Sequence, residues 1–243
     1  MSHKLQATFQ SLDESEQEKR MMIAQLSHDI KTPITSIQVT VEGILDGVIK
    51  EEEWLHYLST IGRQTDRLNK LVEELDVLTL NTQPQDTADE EVEEIFLDQL
   101  LIESMSEFQL QIEQEERDVY IQVSPESAKI KSHSDKLSRI LVNLLNNAFK
   151  YSEPGTRIEV LAQLTEQELT ISVKDEGQGI LPEDLEKIYK RLYRVETSRN
   201  MKTGGHGLGL AIARELAHQL GGEITAESQY GLGSKFTFSL SLK

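Results

Sequence analysis

The sequence predicts a multidomain chain. An all-α antiparallel helical hairpin, forming a dimeric four-helix bundle, is followed by an α+β sandwich. Three observations carry this reading. Apolar residues at Leu26, Ile30, Ile34, Ile37, Val41, Ile44 and Val48 recur in steps of four and three, the rhythm of a helix sheltered along one seam. Trp54, Leu58, Ile61, Thr65, Leu68, Val72 and Leu75 repeat it. Beyond a stretch around Pro84 without large apolar residues, short apolar strands alternate with helical periods.

Residues 1–18 are polar and read as an incoming connector helix. The first seam ends at Asp46-Gly47, a turn signal, so two long helices joined by a short loop form a hairpin. One hairpin leaves two apolar stripes uncovered, and a second copy of the chain is the economical cover. The first domain is therefore set at 1–82, a linker at 83–93 and the second domain at 94–243. In the second domain, helices are predicted over Leu97 to Ile112, Leu137 to Phe149 and Leu208 to Leu220, the last stopped by Gly221-Gly222. Strands are predicted over Val119 to Val123, Ile158 to Leu164, Leu169 to Val173, Ile224 to Ala226 and Phe236 to Leu240, with the second and third paired antiparallel.

Composition excludes several classes. The 243 residues contain no cysteine, which rules out disulfides, thiolate metal sites and a cysteine nucleophile. No apolar run approaches the roughly 18 residues of a membrane span, and no signal peptide is expected. A net charge of −17 opposes nucleic-acid binding. The charge is uneven. Residues 86 to 118 hold thirteen acids against Arg117 alone, as a solvated face would. Lys187, Lys190, Arg191, Arg194, Arg199 and Lys202 face only Glu196, which suits a local anionic ligand.

The chemistry is concentrated in four motifs. In Ser27-His28-Asp29-Ile30-Lys31-Thr32-Pro33, helical spacing turns His28 away from the seam, with Lys31 and Thr32 sharing its outward face. An exposed imidazole is largely neutral and nucleophilic near pH 7, and here a carboxylate flanks it. In the run from Asn143 through Asn147 to Lys150 and Tyr151, the two asparagines share a helical face. A carboxamide oxygen is a hard ligand suited to Mg²⁺; Lys150 suits phosphate and Tyr151 a base. Asp175-Glu176-Gly177-Gln178-Gly179-Ile180 follows an apolar strand, so its carboxylate can accept from an exocyclic amine while the glycines admit close approach. Gly204-Gly205-His206-Gly207-Leu208-Gly209-Leu210 opens a helix whose free amides suit an anion. Gly231-Leu232-Gly233-Ser234 reads as a hairpin turn with a small stabilising role. Neither a Walker-type loop nor a G-x-G-x-x-G dinucleotide fingerprint is present. His3, His56, His133 and His218 lie outside any motif, and Trp54 and the leucine stripes read as core.

In order and spacing these motifs resemble the cytoplasmic core of bacterial two-component sensor histidine kinases, from about Lys19 to the C-terminus. The four motifs look like the family's H box, N box and two glycine boxes. The resemblance implies a dimerisation and phosphotransfer domain followed by an ATP-binding domain of the gyrase, heat-shock chaperone and histidine kinase type. It implies His28 as phosphoacceptor, Asp29 as its neighbouring base, and Thr32 as the group aligning water for dephosphorylation of the partner. By the same resemblance Asn147 would hold Mg²⁺ with Asn143 in support. Lys150 would touch phosphate, Tyr151 the adenine and Asp175 its amino group. Gly177, Gly179, Ile180, Gly205, His206, Gly207, Leu208, Gly209 and Leu210 would line the nucleotide. Residues 187–206 would be the lid, with Arg191 and Arg194 near the phosphates. The implied activity is ATP-dependent phosphorylation of His28 and transfer to an aspartate of a response regulator receiver domain, with phosphatase activity toward that partner. This piece would be cytoplasmic, and the full-length protein would sit in the bacterial cell membrane through segments absent from this chain. The family's F-x-x-F-Y-R box is altered here to Tyr189-Lys190-Arg191-Leu192-Tyr193-Arg194.

Overall fold

The computed structural model describes residues 2–79, 92–191, 193 and 207–242. Two compact units, Met1–Asp76 and Val77–Lys243, divide the chain. Among the described residues no helix is long and apolar enough to cross a membrane.

The first unit is a hairpin of α1 (Ser2–Leu45) and α2 (Trp54–Thr79), with one 3-10 turn at Glu51–Glu53 before α2. The helical connector expected at 1–18 is continuous with α1. Helix α1 stops where Gly47 takes a φ of 68°, and the Ile49 amide then closes onto the Gly43 carbonyl at 2.9 Å.

The sheltered face of α1 differs from the predicted seam. Leu26, Asp29, Pro33 and Thr40 are buried, whereas Ile34, Val41 and Val48 stay exposed and Ile30, Ile37 and Ile44 are half-covered. The buried line is thus turned by roughly 65° at about 100° per residue. On α2 Leu71 is buried and Ile61, Gln64 and Leu68 are half-covered, while Leu58 and Val72 face solvent. Hydropathy marks all apolar positions alike, so it averages the face met within the hairpin with the face left over. Trp54, expected in the core, is 38% exposed and donates its indole N–H to the Ile49 carbonyl at 3.2 Å. It ties down the connection.

The second unit is a two-layer α/β sandwich. A five-stranded sheet runs in the order β2 (Asp118–Ser124), β4 (Arg157–Leu164), β5 (Glu168–Asp175), β7 (Gly233–Ser241), β6 (Gly222–Gln229). The β2–β4 pair is parallel and the others are antiparallel, including the predicted β4–β5 pair. Alternation along β4, β5 and β7 turns Ile158, Val160, Ala162, Leu169, Ile171, Val173, Phe236 and Phe238 inward. Against them pack α3 (Leu97–Ser106), α5 (Ser134–Tyr151) and α6 (Gly209–Gln219). Leu137, Ile140, Leu141, Leu144 and Leu145 form the buried stripe of α5.

Two features depart from the sequence reading. The helix expected over Leu97 to Ile112 is broken: α3 ends at Ser106 and a short α4 (Gln109–Gln114) follows. No glycine or proline marks the break. It falls at Phe108, which is drawn into the core to stack on Phe149, with centroids 4.6 Å apart. Tertiary packing here overrides helix propensity. A small antiparallel sheet of β1 (Glu93–Phe96) and β3 (Lys129–Ser132) was not foreseen. Each strand has four residues with one buried apolar side chain, Ile95 or Ile130, too short for period-two patterning to register. Strand β1 also occupies the end of the expected linker, whose residues 83–91 lie outside the described residues.

Candidate active site

On α1 the imidazole of His28 is 76% exposed, while the Asp29 side chain beside it is only 11% exposed. His28 Nδ1 lies 3.2 Å from Asp29 Oδ1. In the tautomer with the proton on Nδ1, Nδ1–H donates to this carboxylate and leaves the Nε2 lone pair free as a nucleophile. Because Asp29 is on the sheltered face, the helix fixes the carboxylate and the ring together. Thr32, one turn on, is exposed and donates its hydroxyl to the His28 carbonyl at 3.1 Å.

In the second unit four segments converge near the end of β5. The Asp175 carboxyl is buried and accepts the Gly177 amide at 2.8 Å. Burial raises its pKa to about 6, against the opposing pull of the Gly177 and Ser234 amides. Strand register sets Ser234 directly opposite Asp175. A side chain at Gly177 would collide with the Tyr151 carbonyl, which also accepts the Gln178 amide at 3.2 Å. The first glycine box is thereby seated on the C-terminus of α5. Gly179 has a φ of 68°, and a side chain there would strike the Gln229 carbonyl. Only glycine serves both demands.

The β6–β7 turn has more than the hairpin role first assigned to it. The Gly231 amide donates to the Gln178 carbonyl at 2.7 Å, and the Ser228 hydroxyl accepts the Ile180 amide at 2.8 Å. Ser228 and Ser234 are therefore site-building residues that motif reading passes over. A signal for Ser234 was its place beside Gly233 at the start of the last apolar strand.

Helix α6 begins at the second glycine box. A Cβ on Gly209 would stand 2.9 Å from Asn143 Oδ1, so the first turn of α6 abuts the middle of α5. The Asn143 amide donates to the Arg139 carbonyl at 2.8 Å. Asn147 lies one turn further along; its Nδ2 is buried without a hydrogen-bond partner. Amide oxygen and nitrogen are interchangeable by rotation, so the carboxamide is free to present oxygen to a cation. That orphaned group fits Mg²⁺, which needs few protein ligands and keeps its water and substrate oxygens. Among the described residues no cluster of three His, Cys, Asp or Glu side chains competes for a metal. Lys150 Nζ sits 4.9 Å above the Tyr151 ring, pairing the residues expected at phosphate and base.

The remaining candidates divide. Gly207 has a φ of 72° and leads into α6; Leu208 is core and Leu210 half-buried. Arg191 is exposed at the end of a run of turns. Arg194, Gly205, His206 and most of the expected lid lie outside the described residues. In the altered box, the Tyr189 ring lies 4.8 Å beneath the Arg214 guanidinium, and burial pushes its phenol up to about 12. Tyr193 donates its hydroxyl to Asp184 at 2.6 Å; that bond, with Lys187, holds the Asp184 carboxyl below the usual range. Of the two altered positions, Tyr189 is thus a packed ring, and Leu192 lies outside the described residues.

Comparison with known proteins matches these units. Residues 18–83 fit the His Kinase A (phospho-acceptor) domain, and residues 132–243 fit the Histidine kinase-, DNA gyrase B-, and HSP90-like ATPase. The histidine protein kinase SaeS of Staphylococcus epidermidis is 37% identical over 99% of this chain and 68% of its own. The chain belongs to the histidine protein kinase family. The Staphylococcus aureus SaeS kinase is 38% identical over the same shares. Among solved kinases, Acinetobacter baumannii AdeS has a TM-score of 0.69 at 26% identity, covering 89% of this chain and 98% of its own. The kinase ThkA, solved in complex with the response regulator protein TrrA, shares the fold at 20% identity and a TM-score of 0.65 over 96% of this chain and 66% of its own.

Proposed function

We propose that this kinase uses Mg²⁺-ATP to phosphorylate His28 and passes the phosphoryl group to an aspartate of a response regulator. The observation that carries the reading is the pairing of the exposed His28 ring with the sheltered Asp29 carboxylate. Asp29 takes the Nδ1 proton, Nε2 attacks the γ-phosphorus, the bond to the β–γ bridging oxygen breaks, and ADP leaves. Asp175 receives the adenine amine, and the first glycine box lets the ring approach. Tyr151 flanks the base, Lys150 meets phosphate, and Arg191 and Arg194 serve the same charge from the lid. Asn147, backed by Asn143, would hold Mg²⁺, whose charge neutralises phosphate oxygens. Thr32 would align water in the reverse task, dephosphorylation of the regulator.

A second copy of the hairpin would cover Ile34, Val41, Val48, Leu58 and Val72, which supports a homodimer through residues 1–82. ThkA's complex with TrrA supports a response regulator as partner. A cytoplasmic position beneath membrane segments outside this chain fits the kinase reading. Incubation with γ-labelled ATP tests the proposal. The label should be acid-labile and base-stable, as a phosphoramidate is; an acid-stable label, or none, would reject it.

A further inference from the structure

The one basic residue among the thirteen acids of 86–118 is not part of the solvated face. The Arg117 side chain is 1% exposed. Glu116, before it, adopts a left-handed φ of 51°, unusual for a residue with a Cβ. That turn aims the guanidinium inward, 5.7 Å from the Phe149 ring centroid. There its donors are fully used. Nε meets Glu115 Oε2 at 2.7 Å; Nη1 reaches Ser152 Oγ at 2.8 Å, Thr156 Oγ1 at 2.9 Å and the Glu153 carbonyl. Nη2 donates to the Phe149 carbonyl at 3.2 Å and the Ser152 carbonyl at 2.9 Å.

Apart from Glu115, these acceptors are the last turn of α5 and the residues that directly follow it. The last carbonyls of a helix lack intrahelical partners and carry its negative dipole end. Here Ala148 O receives the Ser152 hydroxyl, Phe149 O receives Arg117, and Tyr151 O receives Gln178 of the first glycine box. The same last turns carry Asn147, Lys150 and Tyr151. The Gly155 amide, bonded to the Glu115 carbonyl at 2.9 Å, laces the following loop to the same point.

We infer that Arg117 is a positioning residue for nucleotide binding: it fixes the last turn of α5, and through the Tyr151 carbonyl the first glycine box, in the geometry the nucleotide meets. The inference rests on the nucleotide reading above. Lysine is no substitute, since one ammonium with three donors replaces a planar fork with five. The test uses the full chain and MgADP calorimetry, with KM and kcat for ATP, at a temperature where each variant is folded. Arg117→Lys should weaken MgADP binding and raise KM by about tenfold or more while kcat changes less than about threefold. Ser152→Ala should shift affinity the same way by about threefold. Ile95→Ala, which loosens the small sheet that leads into the opposite, N-terminal end of α5, should lower the melting temperature and leave affinity unchanged.

Arg117→Lys with a lowered melting temperature but unaltered MgADP affinity would overturn the inference, leaving a purely structural arginine. If Arg117→Lys fails to fold, Ser152→Ala decides, and unchanged affinity there overturns it equally. Failure of the unmodified chain to bind MgADP would remove the nucleotide reading itself, a distinguishable result.

Discussion

His28 stands 76% exposed on one continuous helix, whereas Asp175 lies 4% exposed beneath segments drawn from β5, α5 and the β6–β7 turn. Both sit beside apolar packing, yet one is open to solvent and the other is enclosed by neighbouring backbone. A group that must reach another macromolecule needs only a rigid element and an outward angle. A group that must recognise a base needs convergence, and so depends on glycine, on strand register and on helix ends. The first kind should tolerate changes in its surroundings, and the second should respond to them.

The sharpest break of this comparison is His28→Ala. Labelling from ATP should fall by more than about 1,000-fold, while MgADP affinity stays within about twofold by calorimetry. Loss of both together would mean that the two sites are not separable.

Asp175→Asn comes next. It keeps an acceptor for the Gly177 amide but removes the charge, and nucleotide affinity should drop by about 10- to 100-fold. The same residue gives a signed pH dependence. Its folded pKa of about 6 lies above the ordinary 3.8, so between these values the folded state holds the extra proton. Stability of the ligand-free second unit should therefore fall by up to about 3 kcal/mol as pH rises from 4 to above 6. Asp175→Asn should flatten that slope in denaturant titrations. An identical slope in the variant would show that Asp175 is not its source.

Gly179→Ala forces a left-handed φ and a collision with the Gln229 carbonyl; unfolding free energy should drop by about 2–4 kcal/mol. Outward positions of the hairpin should be gentler on the single chain. Ile34→Glu touches a residue 40% exposed there, so the helical content of one chain should change little. If a second hairpin covers Ile34, sedimentation should show the variant shifted from dimer to monomer. A variant that remains dimeric would place the interface elsewhere.

Legibility in the sequence followed the same division. The hairpin, the outward His28 and its carboxylate neighbour follow from local periodicity, because a helix projects residues at fixed angles. Most strands and both long helices of the second unit were readable for the same reason. The exact sheltered face of α1 was not, since Ile34 and Pro33 differ by one position and only a partner's location distinguishes them. The break at Phe108 and the four-residue strands around Ile95 and Ile130 depend on tertiary contacts with no local signature. In the site, Asp175 and the glycines announced themselves through spacing. Arg117, Ser228 and Ser234 did not, because each meets its partner in the site (the end of α5, the Ile180 amide and the Asp175 carboxyl) across a long sequence separation.

If Asp175 receives the adenine amine as proposed, its sealed carboxyl makes nucleotide capture a proton-releasing event. In mildly acidic solution much of the empty protein holds this carboxyl neutral, and docking an amine donor against it expels the proton to the buffer. The heat of association measured near pH 5.5 should then shift between buffers of different ionisation enthalpy, and the shift should vanish near neutrality. Acidification would thus compete with the nucleotide for one and the same oxygen.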